Sequence, residues 1–407
     1  MLKLKGDSMR IKFFLPVLII ASILFIILGT AEVAAHAIEP QTENRILYSK
    51  PGASGTTCSS WVKACELQTA LSNSTAGDQI WLAAGTYKPT TGTDRSATFE
   101  LKSGVAIYGG FPEAGGTWEE RDWQLHNTTL SGDIGVHNNN DDNSYCVVTG
   151  VGVDETAILD GFTISGGNGT DGGGMANFES RPTLINVTFI GNMATSGAGI
   201  YNYESSPVLT NVTLSGNSAT YGGGMYNDTS NPSLTSVVFS SNSAPWGCGG
   251  GMYNDNSHPN LTDVTFSDNS AYLSGGMHNT SSNPTLTDVT FSDNSAYYAG
   301  GGMYNTLSSP SLTNVTFMSN TAVSYGGGMY NEENSNPLLA NVTFEGNSAD
   351  GGYGAGMYNH DSDPSLSEVV FADNLAYSGA GIYNSGSNPA LSNIVFIGNS
   401  ATYGSGM

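Results

Sequence analysis

The chain has 407 residues, 53 of them glycine, with only 12% charged and a formal net charge of −23. That composition is not the signature of a disordered chain and suits an all-β protein with many turns. Arg181 is the last basic residue, so the 226 residues after it carry no Lys or Arg. Such a surface cannot neutralise phosphates, which argues against nucleic acid and nucleotides. It argues equally against anionic membrane surfaces and, without a bridging metal, against polyanionic sugars.

At the N-terminus, MLKLKGDSMRIK is basic and Phe13–Gly29 is an unbroken apolar run of seventeen residues. Ala35-His36-Ala37 fits a small-x-small cleavage site, so residues 1–37 read as a secretory signal peptide cut after Ala37. The alternative is an uncleaved anchor helix, since the run falls just short of the ~20 residues a spanning helix needs. Either way the rest is expected outside the cytoplasm, secreted or at the cell surface or outer membrane. Removing residues 1–37 takes four basic and two acidic residues, leaving 8 basic against 33 acidic and a net charge of −25.

Residues 38–158 read as an N-terminal cap and irregular first coils. Cys58 and Cys65 flank the start of a short helical pattern and, in an exported protein, are expected to form a disulfide. Residues 60–72 carry the one convincing helix, capped by Ser60, with Trp61, Ala64, Leu67 and Leu71 on one face. It is expected to plug the open end of the first coil. Segments 79–87, 104–111, 128–134 and 145–164 then read as early coils.

From residue 159 to 407 one sentence repeats. GGGMYNDTSNPSLTSVVFSSNSA at residues 222–244 is followed at 250 by GGMYNDNSHPNLTDVTFSDNSA. The Phe-equivalent positions run from Ile164 and Phe189 through Phe239, Phe266 and Phe291 to Phe396, at intervals of 25–27 residues, and the Met positions reach 28. A fixed period of this length means a stacked solenoid. Helical periodicity is absent, whereas Asn186-Val187-Thr188-Phe189 alternates in and out, which is strand. Gly and Asn-Pro or Ser-Pro break each unit into short strands, so one unit is one turn of a parallel β-helix. Ten coils at ~4.8 Å give a rod near ~48 Å long, plus the upstream coils.

The columns then have expected jobs. Phe, and Leu two after each Pro, fill the interior. Two Asn columns, one containing Asn192 and Asn269, the other Asn177 and Asn254, are expected at left-handed corners, with amides bonded coil to coil. Cys146 and Cys248 lie about four coils apart, too far to pair with each other.

Phe-x-x-Asn (FIGN, FSSN, FSDN, FMSN, FEGN, FADN) with Gly-Gly-apolar (GGM, GAGI) resembles the repeat of polymorphic outer membrane proteins. The upstream segments CSSWVKACELQTAL, GDQIWLAAGTYKPT, GVAIYGGFPEAGGTWEERDW and TTLSGDI are similar to the start of secreted bacterial β-helix repeat proteins. The resemblance covers about residues 45–407. It implies a single right-handed parallel β-helix of the pectate-lyase-like fold, and a role as a surface or secreted protein such as an adhesin. The chain stops at Met407 inside a repeat, so the last coil is expected to be incomplete and a C-terminal anchor missing.

For chemistry, two readings compete. The first is a non-catalytic surface or secreted protein, an adhesin or structural scaffold whose partners are polysaccharide or host and cell-surface glycans. The second is a polysaccharide lyase or glycoside hydrolase. A lyase needs carboxylates and an Arg or Lys base, and a glycosidase needs two carboxylates across one cleft. Asp141-Asp142 is a candidate pair but sits in the polar loop HNNNDDN, and Arg121-Asp122 reads as structural. No catalytic residues are therefore assigned. Tyr226, Tyr253, Tyr304, Tyr330 and Tyr358 follow an inward Met, so they face out and are the candidate glycan-binding row. Asp263 with Asp288, and Asp268 with Asp293, stack on successive coils, and Ca²⁺ could relieve their repulsion. No other cofactor is expected. A Thr row facing outward invites an ice-binding reading, but Val238, Val370 and Val395 interrupt it. An enzyme must break the repeat where it builds a cleft, and the largest breaks are residues 88–145 and the insertion Pro245–Cys248.

Overall fold

Residues that alternate apolar and polar, interrupted every few positions by Gly, Asn-Pro or Ser-Pro, form short strands that stack rather than pair in hairpins. A computed structural model describes residues 44–407, and the signal or anchor expected over residues 1–37 lies outside the described residues. Three parallel sheets build the solenoid, two along its length and a third from residue 243 onward. Sheet I starts at Ile46–Ser49 and Gln79–Ala83 and continues through Ile158–Ser165 to Ala390–Ile397. Sheet II stacks Phe99–Glu100, Val148–Val151 and then the Met-Tyr-Asn strands, from Met175–Phe178 to Ile382–Ser385. Sheet III stacks Ser243–Cys248 up to Ser400–Tyr403. Among the described residues no helix is long and apolar enough to cross a membrane.

The interior is built by identity in register. Phe239 pairs with Phe266, Phe266 with Phe291, and so on to Phe396. The rings stack at 4.6–5.2 Å with planes within 13° of parallel. Leu, Val and Met columns complete the core. Each buried ring contributes roughly 2–3 kcal/mol from area alone.

The corners differ from expectation. Both Asn columns are fully buried up to the last coil, where Asn384 and Asn399 are partly buried, but neither column adopts the left-handed conformation. Most regular coils instead turn at four other residues. In the coil from Met252 these are Asn256, Asp263, Asp268 and Ser274, with φ of 47°, 55°, 56° and 57°. The buried asparagines act through their amides. Asn269 Nδ2 donates to the Phe239 carbonyl and to Asn294 Oδ1, each at 2.9 Å. A serine column that the sequence reading passed over does similar work: the Ser205 N–H donates to Ser230 Oγ at 2.8 Å.

The N-terminal helix is also shorter than expected. Ser60 does cap a single 3-10 turn, Trp61–Lys63, but the α-helix is Leu67–Asn73. The break falls where the Cys65 N–H donates to the Tyr48 carbonyl and the Cys65 carbonyl accepts from the Lys50 N–H, so this stretch pairs with the first strand. Cys65 is bridged to Cys58 by a disulfide, with 5.1 Å between Cα atoms. Leu67, Ala70 and Leu71 bury against the first coil, in one cluster with Leu47 and Ile80. Cys146 and Cys248 are free thiols.

Candidate functional site

The candidate tyrosine row sits on the outer side of sheet II, as alternation requires, yet it is not open. The rings of Tyr201, Tyr226, Tyr253, His278, Tyr304, Tyr330, Tyr358 and Tyr383 stack on one another at 4.7–5.5 Å. Leu273 and Tyr353, the last residues of sheet III strands, and Ala299 and Tyr325, which follow such strands, pack over them. Tyr304, Tyr330 and Tyr358 are 6%, 6% and 9% exposed, while Tyr226 and Tyr253 are partly buried. The ring faces are therefore taken by neighbouring rings, and the exposure expected of this row is corrected. Burial and the adjacent Glu332 push the Tyr304 and Tyr330 hydroxyls well above the usual tyrosine range, so both stay protonated.

The aspartate pairs have a conformational reason. Asp263, Asp288, Asp268 and Asp293 all occupy left-handed corners, where Asp and Asn are the tolerated side-chain types. Their neighbours supply donors: Ser236 Oγ donates to Asp263 at 2.8 Å, and Asn314 Nδ2 to Asp288 at 3.0 Å. Among the described residues no group of three or more His, Cys, Asp or Glu is placed to hold a metal. The same corners explain the outward Asn-x-Thr pattern, since Asn186, Asn211, Asn314 and Asn341 are all left-handed.

The upstream charged groups are tied into the chain. Arg121 donates to the carbonyls of Gly109 and Asp160 at 2.7 and 3.0 Å and pairs with the Asp160 carboxylate at 2.9 Å. Its guanidinium lies 5.4 Å from the Tyr108 ring and 5.3 Å from the Trp118 ring. Arg95 donates to the carbonyls of Asn143 and Asn168 and covers the Tyr145 ring at 4.3 Å. Asp142 accepts the Val136 N–H at 2.8 Å, which closes the loop that contains Asp141.

The insertion at Pro245–Cys248 is a bulge in sheet III. Register holds at Ala244↔Ala271, shifts, and resumes at Cys248↔Leu273. Gly247 lies against the preceding coil so closely that a Cβ there would stand 2.1 Å from the Thr220 carbonyl oxygen. Pinned in this way, Trp246 projects 86% exposed, beside Tyr272 at 43% and Tyr297 at 67%. With Pro245 these residues line an open cleft of about 380 Å³. Burial pushes the Cys248 thiol up to about 11, so it remains a thiol at neutral pH. The insertion was legible in the sequence, but Tyr272 and Tyr297 were not, because they sit in coils without one. Their only signal is position, one or two residues after the Ser-Ala pair.

Two solved structures are similar to the chain at low identity. Pectate lyase Pel9A matches with 12% identity and a TM-score of 0.43, over 85% of this chain and 79% of that one. The Dettilon tailspike protein matches with 12% identity and a TM-score of 0.28, over 87% and 68%. No curated protein matches significantly. The family model for the right-handed beta helix region matches residues 149–344 and again residues 252–406. With its columns in register from coil to coil, the chain belongs to the right-handed β-helix family.

Proposed function

We propose that this is an exported, non-catalytic β-helix rod, secreted or held at the cell surface, that acts as an adhesin or scaffold and binds glycans. The observation that carries the reading is how the candidate catalytic groups are used. Arg121 is held by two backbone carbonyls and the Asp160 carboxylate, and Asp142 closes its own loop. A lyase or glycosidase would need such groups aimed at a substrate. The faces of the rod repeat coil after coil, which suits contact with a repeating polymer.

The test is a panel of polysaccharides offered to the purified protein with Ca²⁺ present. It is scored for new reducing ends, for unsaturated products and for retention on insoluble polymers. Retention without cleavage is the expected result. Cleavage of any member would overturn the non-catalytic reading and make Asp141, Asp142 and Arg121 the first positions to substitute. Neither retention nor cleavage would leave a structural rod and remove the glycan-binding half of the proposal.

A further inference from the structure

We propose that the sheet III bulge is the glycan site, and that the cleft lined by Pro245, Trp246, Tyr272 and Tyr297 takes an uncharged pyranose. This rests on the glycan-binding reading above and specifies where and what the rod binds.

The cleft is built, not incidental. Nine residues lie between Asn242 and Met252, where the next coil has seven between Asn269 and Met277. A second bulge, between Ala349 and Tyr353, has the same register shift and the same pinning glycine, Gly352, against the Ser324 carbonyl. The backbone geometry is therefore available without an aromatic tip, because Gly351 is the counterpart of Trp246 there. Trp246 is not needed to make the bulge, and an indole left this exposed gives up the burial that stabilises other tryptophans in the chain. Trp61 and Trp81 spend their indole N–H groups on the Gly116 carbonyl and on Gln79. Trp246 has no such partner among the described residues and keeps both face and N–H toward solvent.

The lining defines the ligand class. Its volume lies in the range of small-ligand clefts, and aromatic walls with a few polar tips are typical of them. An aromatic face is electron-rich, so it favours a partner whose C–H groups are polarised positive by neighbouring oxygens. A pyranose offers that face and hydroxyls at its edge for the indole N–H and the two phenols. Charge then selects among sugars. No Lys or Arg occurs within the 226 C-terminal residues, so an anionic sugar has no counter-charge, and the cleft lining holds no carboxylate for a cationic one. The same lack of cations disfavours nucleotides, which would otherwise stack on such rings.

The experiment titrates the full chain with soluble neutral hexasaccharides (cello-, laminari-, manno- and chito-series) and with hexagalacturonate, read by calorimetry and by tryptophan emission. At least one neutral series should bind. Trp246→Ala should weaken it at least about tenfold, and Tyr272→Ala should weaken it less. Tyr203→Ala, which removes an exposed tyrosine on sheet II, should leave it unchanged. Because Trp246 is solvent-exposed, its variant should keep the parental melting temperature, which separates site loss from unfolding. Neutral binding that survives Trp246→Ala would overturn the site while sparing the glycan-binding reading. Preferential binding of hexagalacturonate would overturn the ligand class. No binding of soluble or insoluble glycans by the parent protein would overturn both.

Discussion

Asn269 gives both its backbone N–H, at 3.1 Å, and its side-chain N–H, at 2.9 Å, to one oxygen, the Oδ1 of Asn294 on the next coil. Asn294 repeats the arrangement toward Asn320, and its amide also caps the Phe266 carbonyl. The side-chain ladder therefore satisfies backbone groups at the bend from sheet I to sheet III, both the Asn N–H between strands and the Phe carbonyl near a strand's end. Asn294→Ala removes the acceptor of a backbone N–H on a fully buried residue. The expected cost is on the order of 2–4 kcal/mol, more than a typical neutral hydrogen bond. Thermal or urea unfolding of the variant checks it, and a loss below about 1 kcal/mol would mean that water repairs the ladder.

Asp288 faces Asp263 across one coil, between the paired positions Thr262↔Thr287 and Val264↔Val289. Donors reach the pair from the two flanking coils, Ser236 onto Asp263 and Asn314 onto Asp288. Asp288→Asn keeps a side chain that tolerates the left-handed corner and adds a donor toward Asp263. The expected outcome is a small rise in melting temperature at pH 7, under about 3 °C, shrinking with added salt. An unchanged or lower value would show that the two charges are already screened.

Leu307 adopts φ 52° at a corner where successive coils place Thr229, Asn256, Ser281 and Asp361. Its side chain is 55% exposed, so little burial offsets the backbone cost. For an L-residue that cost is roughly 1–2 kcal/mol, and Asn carries less of it. Leu307→Asn should stabilise by about 0.5–1 kcal/mol. A shift in the urea midpoint at constant slope is the readout, and destabilisation would mean that Leu307 packs more than its exposure indicates.

The repeat, its period, its Phe core and the outward set of the tyrosines were all legible as columns of one residue type. The corners were not, because the left-handed positions are filled by Glu, Thr, Asn, Ser, Leu, Asp and Gly in turn. Asn was legible as a column but not in its conformation, since burial and a corner both favour it. The covering of the tyrosines was hidden for another reason. Leu273, Ala299, Tyr325 and Tyr353 come from the ends of the sheet III strands or just after them, a stretch that varies in length and type from coil to coil. The cleft joins an insertion in one coil to ordinary residues of the next two, a contact that only stacking creates.

His278 replaces tyrosine in the stacked row, between Tyr253 at 4.9 Å and Tyr304 at 4.8 Å. Its Nδ1 is buried with no partner, and burial pushes its pKa down from 6.5 to about 3. The folded state therefore holds a neutral imidazole, while the unfolded chain takes up a proton below pH 6.5. The sign follows: the His278 contribution is fully present above pH 6.5 and is lost as pH falls toward 3, at up to about 1.4 kcal/mol per pH unit. Melting temperature should fall across that window more steeply in the parent than in His278→Tyr. The tyrosine variant restores the residue found on both neighbouring coils and carries no group that titrates between pH 3 and 6.5. Equal slopes in the two proteins would mean that the imidazole protonates without opening the row, and would place it in contact with water.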